Sequence, residues 1–230
     1  MPRTVIIGDI HACKHELAAL LDHVGFVRGD RLVTVGDMIV RGPYPRGTLD
    51  LLQEAGALAV RGNHEDRLLR WRAARRKKQI FSLGPITKAT AKRLRKRHWQ
   101  WLKSLPLWLD LPDHGVRIVH AGLIAGVPIE RQDPRTLMYI RCVGRFGESI
   151  EQRGKVLWGQ VYEGPPHVVF GHNAAAEPQL HPWATGIDTG AVYGGRLTAM
   201  VLRDGEAPPP VADRRDALVS VPARRVYFAR

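Results

Sequence analysis

An α/β fold built around a partly parallel sheet is what this sequence predicts. Short apolar runs alternate with stretches of helical spacing through the first 65 residues. Most of these runs are closed by a glycine beside a polar group, the punctuation expected where a strand turns into a loop. The 230 residues, 44% of them hydrophobic, suffice for one domain with a substantial core.

In order, Thr4 to Ile7 reads as a strand, followed by Gly8-Asp9-Ile10-His11. Glu16 to Val24 has helical spacing, with Leu17, Leu20 and Leu21 on one face. Arg31 to Val35 is a second strand ahead of Gly36-Asp37, and Thr48 to Ala55 a second helix. Ala57 to Val60 is a short strand before Arg61-Gly62-Asn63-His64. The pattern then changes. Glu65 to Arg76 and Ile86 to Leu102 read as basic helices, broken at Gly84-Pro85, so that residues 65–105 form a helical insert. Pro106 and Pro112 bracket a loop. Strands resume at Val116 to His120, Val168 to Gly171, Ala184 to Asp188 and Arg196 to Leu202. The Pro- and Arg-containing segment 204–230 reads as a tail after a domain of 1–203, with Val226-Tyr227-Phe228 able to dock somewhere.

Charge is unevenly placed. The formal net charge is +13, yet fourteen of the 35 Lys and Arg lie in residues 67–103, which hold no Asp or Glu. The remainder is nearly neutral, 21 basic against 22 acidic residues. A polyanionic partner is therefore expected at the insert. Cys13 and Cys142 form no framework pattern, and the N-terminus carries only a three-residue apolar run. These features point to a cytoplasmic protein with neither a membrane nor an obligatory protein partner.

Five strands deliver a metal-ligand type of residue at their C-terminal ends: Asp9 and His11, Asp37, Asn63 with His64, His120, and His172. That edge is where sites assemble in open α/β sheets. Each motif alone reads as turn chemistry or a hydrogen-bonded histidine; five in register make a joint coincidence untenable. Carboxylate, imidazole and amide donors together suit divalent metals, Mn²⁺ foremost, with Fe²⁺, Co²⁺ or Zn²⁺ as alternatives.

These motifs, in spelling and order from Gly8 to about Met200, resemble those of the PPP-type, calcineurin-like metallophosphoesterases. That family includes serine/threonine protein phosphatases and symmetrical diadenosine tetraphosphatases. Gly8-Asp9-Ile10-His11, Gly36-Asp37 through Arg41-Gly42, Gly62-Asn63-His64-Glu65, His120-Ala121-Gly122 and Gly171-His172 carry the likeness. It implies a β-sandwich of two mixed sheets flanked by helices, and a pair of divalent ions that activates water for attack on phosphorus. By the same resemblance Asp9 and His11 hold the first metal, Asp37 bridges both, and Asn63, His120 and His172 complete the second site. Arg41 clamps the scissile phosphate and His64 stands near the leaving group as general acid. Arg141 is the candidate second clamp, an ordinary surface arginine being the alternative.

Two positions depart from the family pattern. Ala12 replaces a customary glycine. Val40 stands where protein phosphatases carry an acid paired with the third-motif histidine. Val40 turns the reading toward the tetraphosphatase branch, as does Ile187-Asp188-Thr189-Gly190, in which Asp188 and Thr189 are expected to support the site rather than ligate. The insert then reads as a lid whose Arg75, Arg76, Lys77 and Lys78 grip a polyphosphate, with Trp71, Trp99 or Trp101 able to stack an adenine. The leading expectation is symmetrical hydrolysis of diadenosine tetraphosphate to two ADP, with nucleoside-tetraphosphate caps on RNA 5′ ends as a side activity. The alternatives are a phosphoprotein phosphatase and a basic nucleic-acid-binding module with a vestigial metal site.

Overall fold

The computed structural model describes residues 2–229. The elements run β1 (Arg3–Ile7), α1 (Lys14–His23), β2 (Arg31–Thr34), α2 (Pro45–Glu54), β3 (Leu58–Ala59), α3 (Asn63–Arg76), α4 (Pro85–Arg93) and α5 (Lys96–Ser104). There follow β4 (Trp108–Leu111), β5 (Val116–Val119), α6 (Pro134–Tyr139), β6 (Cys142–Val143), β7 (Ser149–Ile150) and α7 (Trp158–Val161). The chain closes with β8 (His167–Phe170), β9 (Gln179–Leu180), β10 (Ala184–Gly186), β11 (Arg196–Arg203) and β12 (Leu218–Pro222).

Two five-stranded mixed sheets face each other, ordered β12-β11-β1-β2-β3 and β4-β5-β8-β10-β9. In the first, β1, β2 and β3 run parallel while β11 and β12 oppose them. In the second, β5, β8 and β10 run parallel between antiparallel edges β4 and β9. Side-chain alternation explains the layering. Ile6 points between the sheets with Val33, Ile118, Val169 and Met200. Its neighbours Val5 and Ile7 point outward under Leu17 and Leu20 of α1, Leu49 and Leu52 of α2, and Leu68 of α3. On the opposite outer face, Val168 and Phe170 pack against Leu137 of α6 and Trp158 of α7. Strands buried on both faces need apolar residues at successive positions, which is why β1 and β8 read as unbroken apolar runs.

Three expectations are corrected. The stretch Ile86 to Leu102 is two helices, not one: Leu94 is extended (φ −78°, ψ 135°) and the chain restarts at Lys96. The turn lets α5 bury His98, Trp99 and Leu102, and His98 meets Asp50 of α2 at 2.7 Å. No proline or glycine marks that break. Trp108–Leu111, expected in a loop, is an edge strand paired with β5. The segment after Asp204 does not trail away. Its β12 extends the first sheet beside β11, and Arg214, 2% exposed, donates to Thr185 Oγ1 at 2.7 Å and to His167 Nε2 at 3.1 Å in the second sheet. Among the described residues no helix is long and apolar enough to cross a membrane.

Candidate metal centre

Asp9 and His11 follow β1, Asp37 follows β2, and Asn63 and His64 open α3 just after β3. His120 and His172 follow β5 and β8 of the facing sheet. The carboxyl ends of parallel strands in both sheets thus meet on one rim. The loops there take unusual backbone conformations. His11, Ala12, Asp37, Val40, Arg41 and His172 all have φ between 47° and 71°. Side chains rarely adopt this left-handed region, and a β-branched residue such as Val40 does so least readily, so backbone strain is concentrated at this rim.

The ring orientations are set by backbone acceptors. His11 Nδ1 donates to the carbonyl of Ile39 at 3.2 Å, and His120 Nδ1 donates to that of Val35 at 2.8 Å. Both rings therefore turn Nε2 inward. His11 Nε2 lies 3.9 Å from Asp9 Oδ2 and 3.7 Å from Asp37 Oδ2. His120 Nε2 lies 3.5 Å from Asp37 Oδ2 and 3.0 Å from Asn63 Oδ1. His172 presents Nδ1 to the same amide oxygen at 3.2 Å. The donor atoms fall into two clusters, His11–Asp37–His64 and Asp37–His120–His172, each with all atoms within 4.8 Å of one another. Asp37 belongs to both.

Further contacts hold this arrangement. Glu65, fully buried, accepts from the backbone N–H groups of Asp37 (2.9 Å), Met38 (3.0 Å) and Gly62 (3.0 Å), tying the β2 loop to the start of α3. Asp9 accepts from the N–H of His172 at 3.1 Å, joining the two sheets. Space is exhausted: a Cβ on Gly171 would stand 1.9 Å from Asp9 Oδ1, and one on Gly62 2.3 Å from Asp37 Oδ1.

Four buried carboxyl groups crowd together here. Burial and mutual repulsion, partly offset by hydrogen bonds, push Asp9 and Asp188 up and Glu65 up to about 8. Burial acts on Asp37 too, but His120, His64 and His11 hold it well below the carboxylate range. Burial lowers His11 to about 3 and His64 to about 4, against the pull of Asp37. Neutral imidazoles aimed at a carboxylate are the protonation state that metal ligation requires. The mixed N and O donors and the Asp37 carboxylate common to both clusters suit divalent cations, with Asp9 and Asn63 close enough to add oxygen atoms beside His11 and His120.

The cavity over these residues has a volume of about 420 Å³ and is bordered by Arg41, Arg141 and Arg153. Arg41 Nη1 donates to His11 Nε2 at 3.0 Å, and its guanidinium lies 5.5 Å from the ring centres of both Tyr193 and Phe228. Arg141 is half-buried. One of its Nη atoms donates to the carbonyl of Glu151 at 2.7 Å, and its Nε has no partner. Asp188, expected to support the site, also lines the cavity, as does Arg153, which sequence reading did not place there. Arg153 lies in an exposed loop with no motif around it. Asp188 follows β10 much as His172 follows β8, and that spacing was the available signal.

Other expected site residues are not brought there. Arg75, Arg76, Lys77 and Lys78 are exposed at or beyond the last turn of α3, opposite the end that carries Asn63. Arg75 is twelve residues along that helix, about 18 Å at a helical rise. It lines a groove with Trp71 and Trp99, while Arg76 and Lys77 face α5. The three tryptophans pack the insert down: Trp99 is 8% exposed, and Trp71 and Trp101 lie against the same core.

The fold and its two-cluster rim define a metal-dependent phosphoesterase. The calcineurin-like phosphoesterase family model matches residues 2–202, and the chain belongs to that family. It is 30% identical to an asymmetrical bis(5′-nucleosyl)-tetraphosphatase, PrpE, of Anoxybacillus flavithermus, covering 97% of this chain and 96% of that one. The PrpE of Oceanobacillus iheyensis is 29% identical over 97% of this chain and 94% of its own. A crystal structure of a candidate diadenosine tetraphosphatase superposes with a TM-score of 0.81 at 32% identity, covering 97% of this chain and 96% of the other. A yeast serine/threonine phosphatase similar to human PP5 shares the fold, with a TM-score of 0.58 at 14% identity over 98% of this chain and 80% of its own.

Proposed function

We propose that this protein hydrolyses dinucleoside tetraphosphates, using a pair of divalent ions, Mn²⁺ foremost, in a cytoplasmic setting that keeps its buried thiols Cys13 and Cys142 reduced. The observation that carries this reading is the pair of donor clusters sharing Asp37 beneath three arginines. When bound, the ions supply Lewis-acid activation of water and of phosphoryl oxygens. Arg41, Arg141 and Arg153 offer planar forks that match phosphate oxygens, and a substrate with four linked phosphates suits that density of positive charge. Tyr193 and Phe228 flank the Arg41 guanidinium, which limits its freedom before substrate arrives.

Leaving-group chemistry favours an anhydride over an ester. His64 accompanies Asp37 at 3.9 Å, and its Nδ1 is buried without a hydrogen-bond partner. With Val40 at the neighbouring position, no carboxylate there orients the ring or supplies it with a proton. A phosphate anion departs without such help, whereas an alkoxide needs it. The central bond was the expectation from sequence, but the relatives spanning nearly the whole chain are named for the asymmetrical reaction. The favoured products are therefore ATP and AMP.

Manganese-loaded protein incubated with diadenosine tetraphosphate, a phosphopeptide and p-nitrophenyl phosphate, with products separated by ion exchange, tests the reading. ATP with AMP as the first products supports it, and ADP alone restores central cleavage. Faster phosphopeptide turnover, or none of the tetraphosphate, overturns it. RNA carrying a nucleoside-tetraphosphate cap presents the same anhydride and makes a further arm of the assay.

A further inference from the structure

Beside the metal cavity lies a second, smaller hollow of about 260 Å³. It shares Arg41 and His64 with that cavity, and its other walls are largely apolar: Val40, Pro85, Ile86 and Phe228. Ile86 is 46% exposed at its lip, a large apolar side chain left facing open space. Such a hollow offers little to a phosphate or a sugar. It suits a flat ring whose faces are apolar and whose polar edge reaches solvent.

The wall made by Phe228 is held firmly. The backbone N–H groups of Tyr227 and Phe228 both donate to the carbonyl of Val192 at 3.0 Å. Tyr227 Oη donates to Glu16 at 2.8 Å, and the N–H of Arg224 donates to the same carboxylate at 3.0 Å. Glu16 is 1% exposed on α1, so a buried carboxylate is spent on anchoring this segment. The Phe228 ring meets Tyr193 edge-on at 6.3 Å between centres. A segment fixed at several points, and presenting a half-buried aromatic face next to a phosphate site, is a prepared surface for stacking.

We propose that the hollow between Phe228 and the Gly84-Pro85-Ile86 turn seats one nucleobase of the substrate, with the phosphate chain leading from it past Arg41 into the metal cavity. Phe228 and Ile86 are then specificity-determining residues that separate nucleotides from inorganic polyphosphates. This seat rests on the dinucleotide reading for the identity of the full substrate, though the ring-binding itself can be measured apart from it.

The experiment compares the full-length wild type with Phe228→Ala and Ile86→Ala. Calorimetry measures binding of AMP and of ribose 5-phosphate, which differ only in the base, to each metal-loaded protein. Stacking on an aromatic face is worth roughly tenfold in affinity. The wild type is expected to prefer AMP by about tenfold, and each variant to lose most of that preference. The ratio of kcat/KM for diadenosine tetraphosphate over inorganic tetraphosphate should fall in parallel. Both altered side chains are at least partly exposed, so folding is not at risk. If Phe228→Ala weakens AMP and ribose 5-phosphate equally, Phe228 merely steadies Arg41 and the base seat is wrong. An unchanged ratio in both variants sinks it as well. A wild type that prefers AMP through Phe228 but leaves the tetraphosphate intact would retain the seat and refute the substrate. Turnover of the tetraphosphate with no preference for AMP would do the reverse.

Discussion

His167, at the opposite end of β8 from His172, illustrates how a single buried side chain sets a pH dependence. Burial, with the Arg214 guanidinium adding to it, holds this imidazole down to about 3 from an ordinary 6.5. Its Nε2 accepts from Thr185 Oγ1 at 2.9 Å and from Arg214. Between those two values the unfolded chain binds a proton that the folded one refuses. The stabilisation is therefore complete above about pH 6.5 and is lost progressively as pH falls toward 3, at about 1.4 kcal/mol per unit. His167→Gln keeps an acceptor for Arg214 and removes the titration. Urea melts of chelator-treated protein at pH 7 and pH 5 should show the wild type losing about 1–2 kcal/mol more than the variant; parallel losses would show that His167 is not the group responsible. The candidate metal-binding residues were legible at this scale because each lies just past a strand end. Arg153 and Phe228 were not, since nothing local distinguishes an arginine or phenylalanine that meets a site built from strands elsewhere in the chain.

Helix α3 joins two environments that sequence reading merged. Its first turn carries Asn63 and His64 into the metal rim, with Glu65 and Asp66 at the end where a helix favours negative charge. Its last turn carries Arg75 and Arg76, at the end that favours positive charge. The charge run thus satisfies the helix itself and contacts no part of the catalytic cavity. Replacing Arg75, Arg76, Lys77 and Lys78 together by alanine should change kcat for diadenosine tetraphosphate by less than about twofold. Any loss in kcat/KM should be a steering effect that fades when salt shortens the Debye length to roughly 3 Å at 1 M. A salt-independent tenfold loss would restore the lid to the substrate. The break between α4 and α5 was invisible in the sequence for a related reason: helical periodicity continues across Leu94 and Arg95, whereas the contacts that accompany the bend, His98 with Asp50 among them, are with segments distant in the chain.

Across the whole molecule, two sheets contribute like charges to one rim, and the cost of assembling Asp9, Asp37, Glu65 and Asp188 falls on the fold. Cations that bind only the folded form should repay it. At a hundredfold excess over its dissociation constant, an ion adds about 2.7 kcal/mol. Thermal melts should therefore rise when Mn²⁺ replaces a chelator. Because Asp37 serves both clusters, Asp37→Asn should lose the larger part of that rise, whereas a variant at one half-site should lose part. An unaltered manganese response in Asp37→Asn would show that the clusters do not bind metal jointly.

The amino-acid sequence by itself determined where most of the sheet strands lie, which of their positions are apolar and which loops carry the candidate ligand residues. These depend on short-range periodicity and on residues adjacent to strand ends. Tertiary structure alone decided which charges reach the cavity and which stay on a distant helix face. It decided too that residues 204–229 close the first sheet and place Phe228 beside Arg41. Those outcomes arise from contacts between segments far apart in the chain, such as Tyr227 with Glu16 across 211 positions, whose cost and reward no local pattern records.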